Sequence, residues 1–223
     1  MIAQQIVNQQ NDDTVINQTL VNDFFMKIYE TCGTYIRSNG DLRTLPNGDR
    51  SAFLRNTASH VVCLGAILCW NLSQLYNCKY FIDVCKSIYG ENSVKLVEQV
   101  LRYIDSDIVI SKLALSLFAF CNNISMHYPN VVTEHFNTLA ILRIQNTYVE
   151  VLWRYVIYKY GYYESVQRFM KLIQYLMAAT NAIYDAQNIE KHVNDTEALI
   201  EQTELALVLD DIVRLEENKK DND

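Results

Sequence analysis

The chain has 223 residues, enough for one domain with a sizeable core, and half of these residues are apolar. It contains only six glycines and two prolines, too few turn-forming residues for a sheet protein of this length, so the composition predicts long helices with few connections. The formal net charge of −7 argues against a nucleic-acid-binding surface, which needs clustered Lys and Arg side chains.

The cysteines and the apolar segments indicate a soluble, intracellular protein. None of the six cysteines is part of a C-x-x-C pair, and several lie in apolar helical segments, so we interpret them as reduced structural thiols. The polar segment from Met1 to Asn11 lacks the basic and apolar regions of a signal peptide. The longest apolar stretch, Val61 to Trp70, is too short to span a bilayer.

An amphipathic helix is the first predicted element. Pairs of apolar residues recur with a 3.6-residue period from Val15 to Ile36, and Asp12 to Thr14 offer an N-cap. Asn39 and Gly40 tolerate the left-handed conformation of a helix C-terminus and should end this helix. The sequence Pro46 to Asp49 predicts a turn, with Asp49 capping the next helix.

The pattern of apolar residues in the rest of the chain predicts further helices of one domain. The segment from Arg50 to Tyr76 is apolar all round, which is typical of a central helix. A short strand or hairpin arm is predicted at Asn77 to Asp83, and Tyr128 to Asn130 should break the chain. We expect a polar lead over residues 1–13, a helical domain over 14–217 and a charged tail over 218–223. Its further helices are predicted at Asn92–Ile104, Ser106–Cys121, Thr133–Tyr160, Glu164–Ala186 (after a break at Gly161) and Asp195–Glu217 (capped by Asn194 and Glu197).

The segment YIRSNGDLRTLPNGDRSAFLR, from Tyr35 to Arg55, resembles the signature of nuclear-receptor ligand-binding domains. That signature runs aromatic, small, Lys, two free positions, Pro-Gly-Phe, two free, Leu, three free, Asp-Gln, two free, Leu-Leu-Lys. The spacing is kept without a gap, although Ile36, Gly40, Asp41 and Arg50 depart from the usual residues. The matching positions are Tyr35, Arg37, Leu42, Leu45, Asp49, Phe53, Leu54 and Arg55.

Four further segments follow in the family's order. Lys112 to Phe118 resembles the helix that ends in Leu-Phe, and Ile144 to Tyr155 repeats the Gln, Tyr, Leu, Tyr pattern of the ninth helix. Arg168 to Leu176 resembles the dimerisation helix, and Val208 to Val213 the activation helix. The resemblance implies an all-α, three-layer antiparallel helical sandwich with at most a short β-hairpin. It also implies a regulatory role without catalysis, as part of a transcription factor of the nucleus, with the cytoplasm as a further location.

The resemblance further implies a groove for LxxLL-type coregulator helices. The C-terminus of such a helix attracts a cation and its N-terminus an acid, because of the helix dipole. The positions that match are Arg37 and Arg55 for the cation, and Asp211 and Ile212 within the activation helix. Asp211 replaces the usual Glu and has a shorter reach. Alternatively, the two arginines are solvated helix ends.

The ligand implied by the resemblance is small, apolar and neutral. Family members that bind carboxylates commonly have an Arg twenty residues after the signature Asp, where this chain has Cys69. A charged ligand would then lack a partner, so a neutral ligand, or a pocket filled by Trp70 and Phe81, fits better. The residues expected near the pocket are Cys32, Cys63, Leu64, Ile67, Leu68, Cys69 and Ile183. No other cofactor and no membrane contact are expected.

A dimer is predicted through the helix Glu164 to Ala186, because this helix has more apolar residues than a single inward face needs. Whether the partner is a second copy or another receptor stays open. The residues predicted to form this interface are Arg168, Phe169, Leu172, Ile173 and Leu176.

Two other functions stay open beside the regulatory domain. The first alternative is a helical adaptor that binds proteins without a ligand. An enzyme is third, because the sequence has no G-x-S-x-G, H-E-x-x-H or phosphate-binding glycine loop. His60 and Cys63 lie three residues apart and could touch a metal or a haem, but we favour a packed core pair. Since the four histidines lack ligand spacing, no metal site is predicted.

Overall fold

A computed structural model describes residues 2–11, 18–121 and 138–220. These residues form an all-α fold, and none of them lies in a strand. A short 3-10 turn, Leu75–Asn77, connects the fourth and fifth helices. The helices are α1 (Ile2–Asn11), α2 (Gln18–Ser38), α3 (Gly40–Arg43), α4 (Asn47–Leu72), α5 (Lys79–Tyr89), α6 (Glu91–Leu101), α7 (Ile108–Ala119), α8 (Thr138–Ala186) and α9 (Glu190–Lys220).

The central helix of the fold is α4, as its apolar sequence predicts. Helices α2 and α9, which pack against each other, both contact it, and so do α6, α7 and α8. Residues of α4 contribute to two core clusters: Val61 belongs to the first, and Leu64, about one turn later, belongs to the second. By length and composition α4 could cross a membrane, but 72% of its most apolar window is buried inside the fold, as in a core helix.

Two glycines allow α2 to approach its neighbours closely. A Cβ atom at Gly65 of α4 would lie 2.8 Å from Sγ of Cys32 on α2. A Cβ atom at Gly33 of α2 would lie 2.7 Å from Cδ1 of Leu199 on α9. Both distances are too short for carbon in a packed interior. The absence of a side chain at these positions therefore sets the spacing of α2 from α4 and from α9.

A buried carboxylate joins α7 to α8. Asp107 caps α7 by accepting a hydrogen bond from the backbone N–H of Val109 at 2.9 Å. It also accepts hydrogen bonds from Oη of Tyr155 and Tyr160, both at 2.7 Å, and from Nζ of Lys159 at 2.9 Å. Burial acts to raise the pKa of Asp107, but these donors outweigh it and hold the pKa well below its usual range.

Two predictions of local structure are wrong. The segment expected as a polar lead contains α1, whose Ile6 is fully buried against the core. The segment expected as a strand forms the start of α5. Aromatic and β-branched residues there favour a strand, but Phe81 and Cys85, four residues apart, are buried together on one helical face. Burial of these two side chains, rather than local strand propensity, therefore determines that the segment is helical.

Several predicted boundaries also need correction. Asn39 ends α2 in an extended conformation rather than a left-handed one, and its side chain caps α3 by accepting a hydrogen bond from the N–H of Leu42. Pro46 takes the N-cap position of α4, so Asp49 lies in the first turn. Asn194 and Glu197 lie inside α9 rather than at its start.

The break at Gly161 is confirmed. With φ at 74° and ψ at 170°, this glycine interrupts α8 in a conformation that residues with a Cβ atom rarely adopt. The N-cap predicted at Asp12 to Thr14 and the break predicted at Tyr128 to Asn130 lie outside the described residues.

We predict that Asp107→Asn lowers the free energy of unfolding by about 2–3 kcal/mol. The single oxygen of an amide cannot accept hydrogen bonds from all three side-chain donors at this buried site. Urea denaturation measures the change. The matched control is Glu150→Gln, which breaks an exposed ion pair with Arg154 and should change stability by less than about 0.5 kcal/mol. Equal effects of the two substitutions would contradict the structural role of Asp107.

Candidate functional site

A cavity of about 90 Å³ lies between α2, α4, α5, α6 and the junction of α8 with α9. Its walls are mostly apolar and aromatic. Residues from every one of these elements contribute, among them Phe25, Ile67, Trp70, Cys85, Val97 and Ala186. Concave apolar sites with a few polar groups are where proteins bind small molecules, although typical sites are larger, roughly 300–1,000 Å³.

The polar groups at the cavity gather around His192 of α9. Its Nδ1 lies 2.8 Å from Oη of Tyr29, and its Nε2 lies 3.1 Å from Oγ of Ser59 and 3.6 Å from Sγ of Cys63. Burial lowers the pKa of His192 to about 4, although the nearby Asp195 acts in the opposite direction. The imidazole is therefore neutral at pH 7.

The proximity of Cys63 to His192 does not make a nucleophilic dyad. Burial raises the pKa of the Cys63 thiol to about 12, although a hydrogen bond with Ser59 acts to lower it. At neutral pH the pair is a thiol beside a neutral imidazole, without the thiolate that such catalysis needs. His60, which the sequence paired with Cys63, packs edge-on against Phe118 instead, with ring centroids 5.7 Å apart.

Two polar atoms at the cavity have no hydrogen-bond partner among the described residues. These are Nε1 of Trp70 and Oη of Tyr89, and both atoms are buried. Burial raises the pKa of Tyr89 far above its ordinary value, so the phenol keeps its proton. Buried polar groups are usually hydrogen-bonded, so these two atoms are exceptions in the fold.

The predicted pocket residues divide into two sets. Cys63 and Ile67 line the cavity. The other five do not line this cavity and lie in the core or packed against it. Because α4 is apolar on all sides, its sequence does not show which residues face the cavity. The residues packed elsewhere are Cys32, Leu64, Leu68, Cys69 and Ile183.

Trp70 and Phe81 were the expected alternative filling of the pocket. Their rings pack edge-to-face with centroids 4.9 Å apart. Trp70 lines the cavity, whereas Phe81 is fully buried in the core beside it. Trp70 thus forms part of the cavity wall, and Phe81 packs against its ring from the core.

The residues predicted for the coregulator groove are engaged in ion pairs with α9. Arg37 donates to both carboxylate oxygens of Asp210, at 2.8 and 2.5 Å, and Arg55 donates to Glu204 at 2.7 Å. Asp211 pairs with the buried Arg50. Each of these three predicted groove residues is therefore in an ion pair within the fold.

The segment Val208 to Val213 does not close over the core. It is part of the continuous helix α9, and Val208, Leu209, Ile212 and Val213 are about half exposed. The inward side of α9 here carries Leu207 and the paired acids, so these four apolar side chains are not part of the core. Its apolar side faces outward.

Most of the residues predicted for the dimer interface face the body of the fold. Arg168 pairs with Asp105 at 2.6 Å and lies 3.8 Å from the ring centroid of Tyr160. Phe169 packs against Trp153, and Leu172 and Leu176 belong to the core. Among the five residues predicted for the interface, Ile173 is the most exposed, at 39%. The stripe that faces outward, which we name the α8 seam, consists of Tyr163, Val166, Met170, Ile173, Met177 and Tyr184.

Comparisons of the chain with family models, curated proteins and solved structures found no significant match. In the described ranges, no group of three or more His, Cys, Asp or Glu side chains is arranged to hold a metal ion. Function must therefore be inferred from the cavity and from the surfaces around α8 and α9.

We predict that stability falls as the pH is lowered from 6.5 toward 4. His60 and His192 both have a pKa lowered to about 4 in the fold by burial, whereas an unfolded histidine titrates near 6.5. The unfolded chain therefore binds more protons in this window, and the stability that is complete above pH 6.5 is lost on acidification. Each histidine should contribute about 1–2 kcal/mol of loss at pH 5.

Urea denaturation at pH 7.5 and pH 5 measures this loss. In His192→Gln the difference between the two pH values should be smaller than in the unsubstituted protein. The same difference in both proteins would mean that His192 is not buried in its neutral form.

Proposed function

We propose that the chain is a non-catalytic regulatory domain of the nuclear-receptor ligand-binding type, in which a small uncharged ligand controls the binding of protein partners. The observation that carries the proposal is the position of the cavity. It is bounded by α2, α4 and the first turns of α9, and these helices also carry Arg37, Arg55 and Asp211. A ligand there would contact all three helices. As part of a transcription factor, the domain would act in the nucleus.

The layered packing supports the same proposal. Helix α4 contacts α2, α9, α6, α7 and α8, as the middle layer of a three-layer helical sandwich would. The fold therefore accommodates the architecture that the sequence signature implies.

The arginines of α2 and α4 are the proposed contact for an LxxLL helix. The side chains of Arg37 and Arg55 are 47% and 58% exposed, so a peptide can reach them. Their present partners, Asp210 and Glu204, would compete with the peptide's C-terminal carbonyls for the same cations. Binding of a coregulator would thus require these ion pairs to separate, which costs little because ion pairs of exposed arginines are weak.

We predict that a fluorescent LxxLL peptide binds with micromolar affinity, about −8 kcal/mol. Arg55→Glu should weaken binding by about 1–2 kcal/mol, because it places an acid at the peptide's C-terminus. Glu204→Gln should strengthen binding about threefold, because it frees Arg55. Fluorescence anisotropy measures each affinity.

The control for these titrations is Arg154→Glu, which changes an exposed arginine on α8 and should leave peptide affinity unchanged. If the peptide binds neither the unsubstituted protein nor any variant, the result contradicts the coregulator function and favours the adaptor.

The α8 seam is the proposed dimer surface. Its residues recur at intervals of three and four, the heptad spacing by which helices pair, with Thr180 at the remaining position. Two charged residues after Gly161 face the body: Arg168 pairs with Asp105, and Lys171 donates a hydrogen bond to the carbonyl of Ile104. Beside the seam, the exposed residues Gln167, Gln174 and Asn181 are uncharged amides. A second copy would therefore meet mainly uncharged side chains along the seam.

We predict a dimer at tens of micromolar that is lost on substitution of the seam. Met170→Glu and Met177→Glu should each give monomer, because they bury a charge without a partner. Light scattering coupled to gel filtration measures the mass. The control, Val151→Glu, changes an equally accessible position of α8 outside the seam and should stay dimeric. A monomeric wild-type chain, alone and with a candidate partner receptor, would contradict the proposal.

The second candidate function is a ligand-independent adaptor, which the outer side of α9 favours. Leu205, Val208, Leu209, Ile212 and Val213 form an exposed apolar face, and such faces mark protein interaction sites. Native mass spectrometry of the purified protein separates the two functions. A co-purified apolar molecule supports the regulatory domain, and repeated absence of ligand together with partner binding supports the adaptor.

A further inference from the structure

The outer side of α9 carries a short apolar face that is open to solvent in the described part of the chain. Its five residues are between 47% and 62% exposed. They recur at intervals of three and four residues, so they form one stripe about two turns long on a single side of the helix. The opposite side of these turns carries the buried Leu207. We name this stripe, which consists of Leu205, Val208, Leu209, Ile212 and Val213, the α9 outer face.

Acidic side chains bracket the α9 outer face along the helix. Glu201 is exposed about one turn before Leu205, and Glu216 is exposed about one turn after Ile212. Residues four positions apart lie on the same side of a helix, so both carboxylates are in line with the stripe. They are about 22 Å apart along the axis, since each helical residue adds about 1.5 Å. The face is therefore apolar in its middle and acidic at both ends.

The bracketing acids are distinct from the acids that dock α9 on the body. Glu204, Asp210 and Asp211 pair with arginines of α2, α3 and α4. Glu201 and Glu216 instead lie in line with the outward stripe, where a partner can reach them without separating those ion pairs.

Charge argues against a second copy of this chain as the occupant of the α9 outer face. In an antiparallel pair of α9 helices, Glu201 of one copy would lie opposite Glu216 of the other. In a parallel pair, each carboxylate would lie opposite its own equivalent. Like charges that face each other destabilise an interface, and the formal net charge of −7 adds to the repulsion. The same acids disfavour the surface of an anionic membrane.

We propose that the α9 outer face binds an amphipathic helix of another protein whose apolar stripe is bracketed by basic residues. Apolar side chains of that helix would pack on Leu205, Leu209 and Ile212, and its lysines or arginines would pair with Glu201 and Glu216. Its two basic positions must be about 22 Å apart to match the two carboxylates. The proposal rests on the adaptor, the second candidate function, because it names the partner of the same face.

The test uses the full chain and two fluorescent amphipathic peptides that differ only in charge. Both peptides carry leucines at the spacing of Leu205, Val208 and Ile212. One has lysines at the spacing of Glu201 and Glu216, and the other has glutamates there. Fluorescence anisotropy should show that the lysine peptide binds about tenfold more tightly than the glutamate peptide. The difference should largely disappear in about 1 M salt, which screens charges beyond about 3 Å.

Reversal of the charges on α9 provides the matched variant. With Glu201→Lys and Glu216→Lys together, the chain should prefer the glutamate peptide, because the bracketing charges have changed sign. The control is Glu98→Lys, at an exposed acid of α6, which should leave the preference for the lysine peptide unchanged.

A second variant tests the apolar part of the contact. Leu209→Ser should weaken the binding of both peptides by about tenfold, since it removes a central apolar side chain. This variant should keep the helical circular dichroism of the unsubstituted protein, because Leu209 is 53% exposed and not part of the core.

Each opposite result overturns the proposal. Equal binding of the two peptides would show that the acids play no part, and no binding of either would remove the docking site. An unchanged preference in the charge-reversed variant, or full binding by Leu209→Ser, would place the peptides elsewhere. A dimer that Leu209→Ser abolishes in light scattering would make a second copy the occupant. Binding to phosphatidylcholine vesicles that the same variant abolishes would make a lipid surface the occupant.

The measurements separate this inference from the proposed functions. Arg55→Glu should weaken the LxxLL peptide but leave the preference for the lysine peptide unchanged. Failure of the lysine peptide together with normal LxxLL binding contradicts this inference alone. Binding of the lysine peptide that requires a co-purified apolar molecule contradicts the ligand-independent adaptor and supports the partner class.

Discussion

The docking of α9 on α2 and α4 is the contact on which the cavity and the partner surfaces both depend. Near its start, α9 places His192 against Tyr29, which closes one end of the cavity. In its middle, Leu199 reaches the space left by Gly33 of α2. Toward its end, its acids pair with arginines of α2, α3 and α4. One helix therefore joins the interior of the fold to the surface where peptides are proposed to bind.

The two ends of α9 are held by different forces. The first half is held by buried contacts such as Leu199 and Ile200, which do not depend on salt. The second half buries Leu207 but otherwise relies on carboxylate–arginine pairs, of which only Arg50 is itself buried. Exposed pairs weaken as ionic strength rises. The second half should thus separate from the body more easily than the first.

The sequence predicted the helices better than the faces that they bury. The apolar character of α4 identified it as central, and Gly161 marked the break in α8, because both signals are local. The cavity was only partly predictable, since its polar end joins Tyr29 to His192, which are 163 residues apart. The sequence did not show that Arg168 of the predicted dimer surface faces the body, because its partner Asp105 belongs to another segment.

The distribution of charge links the two proposed activities. Ionic groups are concentrated where α9 crosses the ends of α2 and α4, whereas the cavity beside its first turns contains only neutral groups. The proposed uncharged ligand would therefore act on α9 by packing rather than by electrostatics. Added contacts at Ile189 and His192 would favour the docked helix, and with it the pairs formed by Glu204 and Asp210. The proposed LxxLL helix would need the same arginines. A ligand that favours the docking of α9 would therefore weaken binding of the LxxLL peptide. The sign of this coupling is opposite to that of an activating ligand.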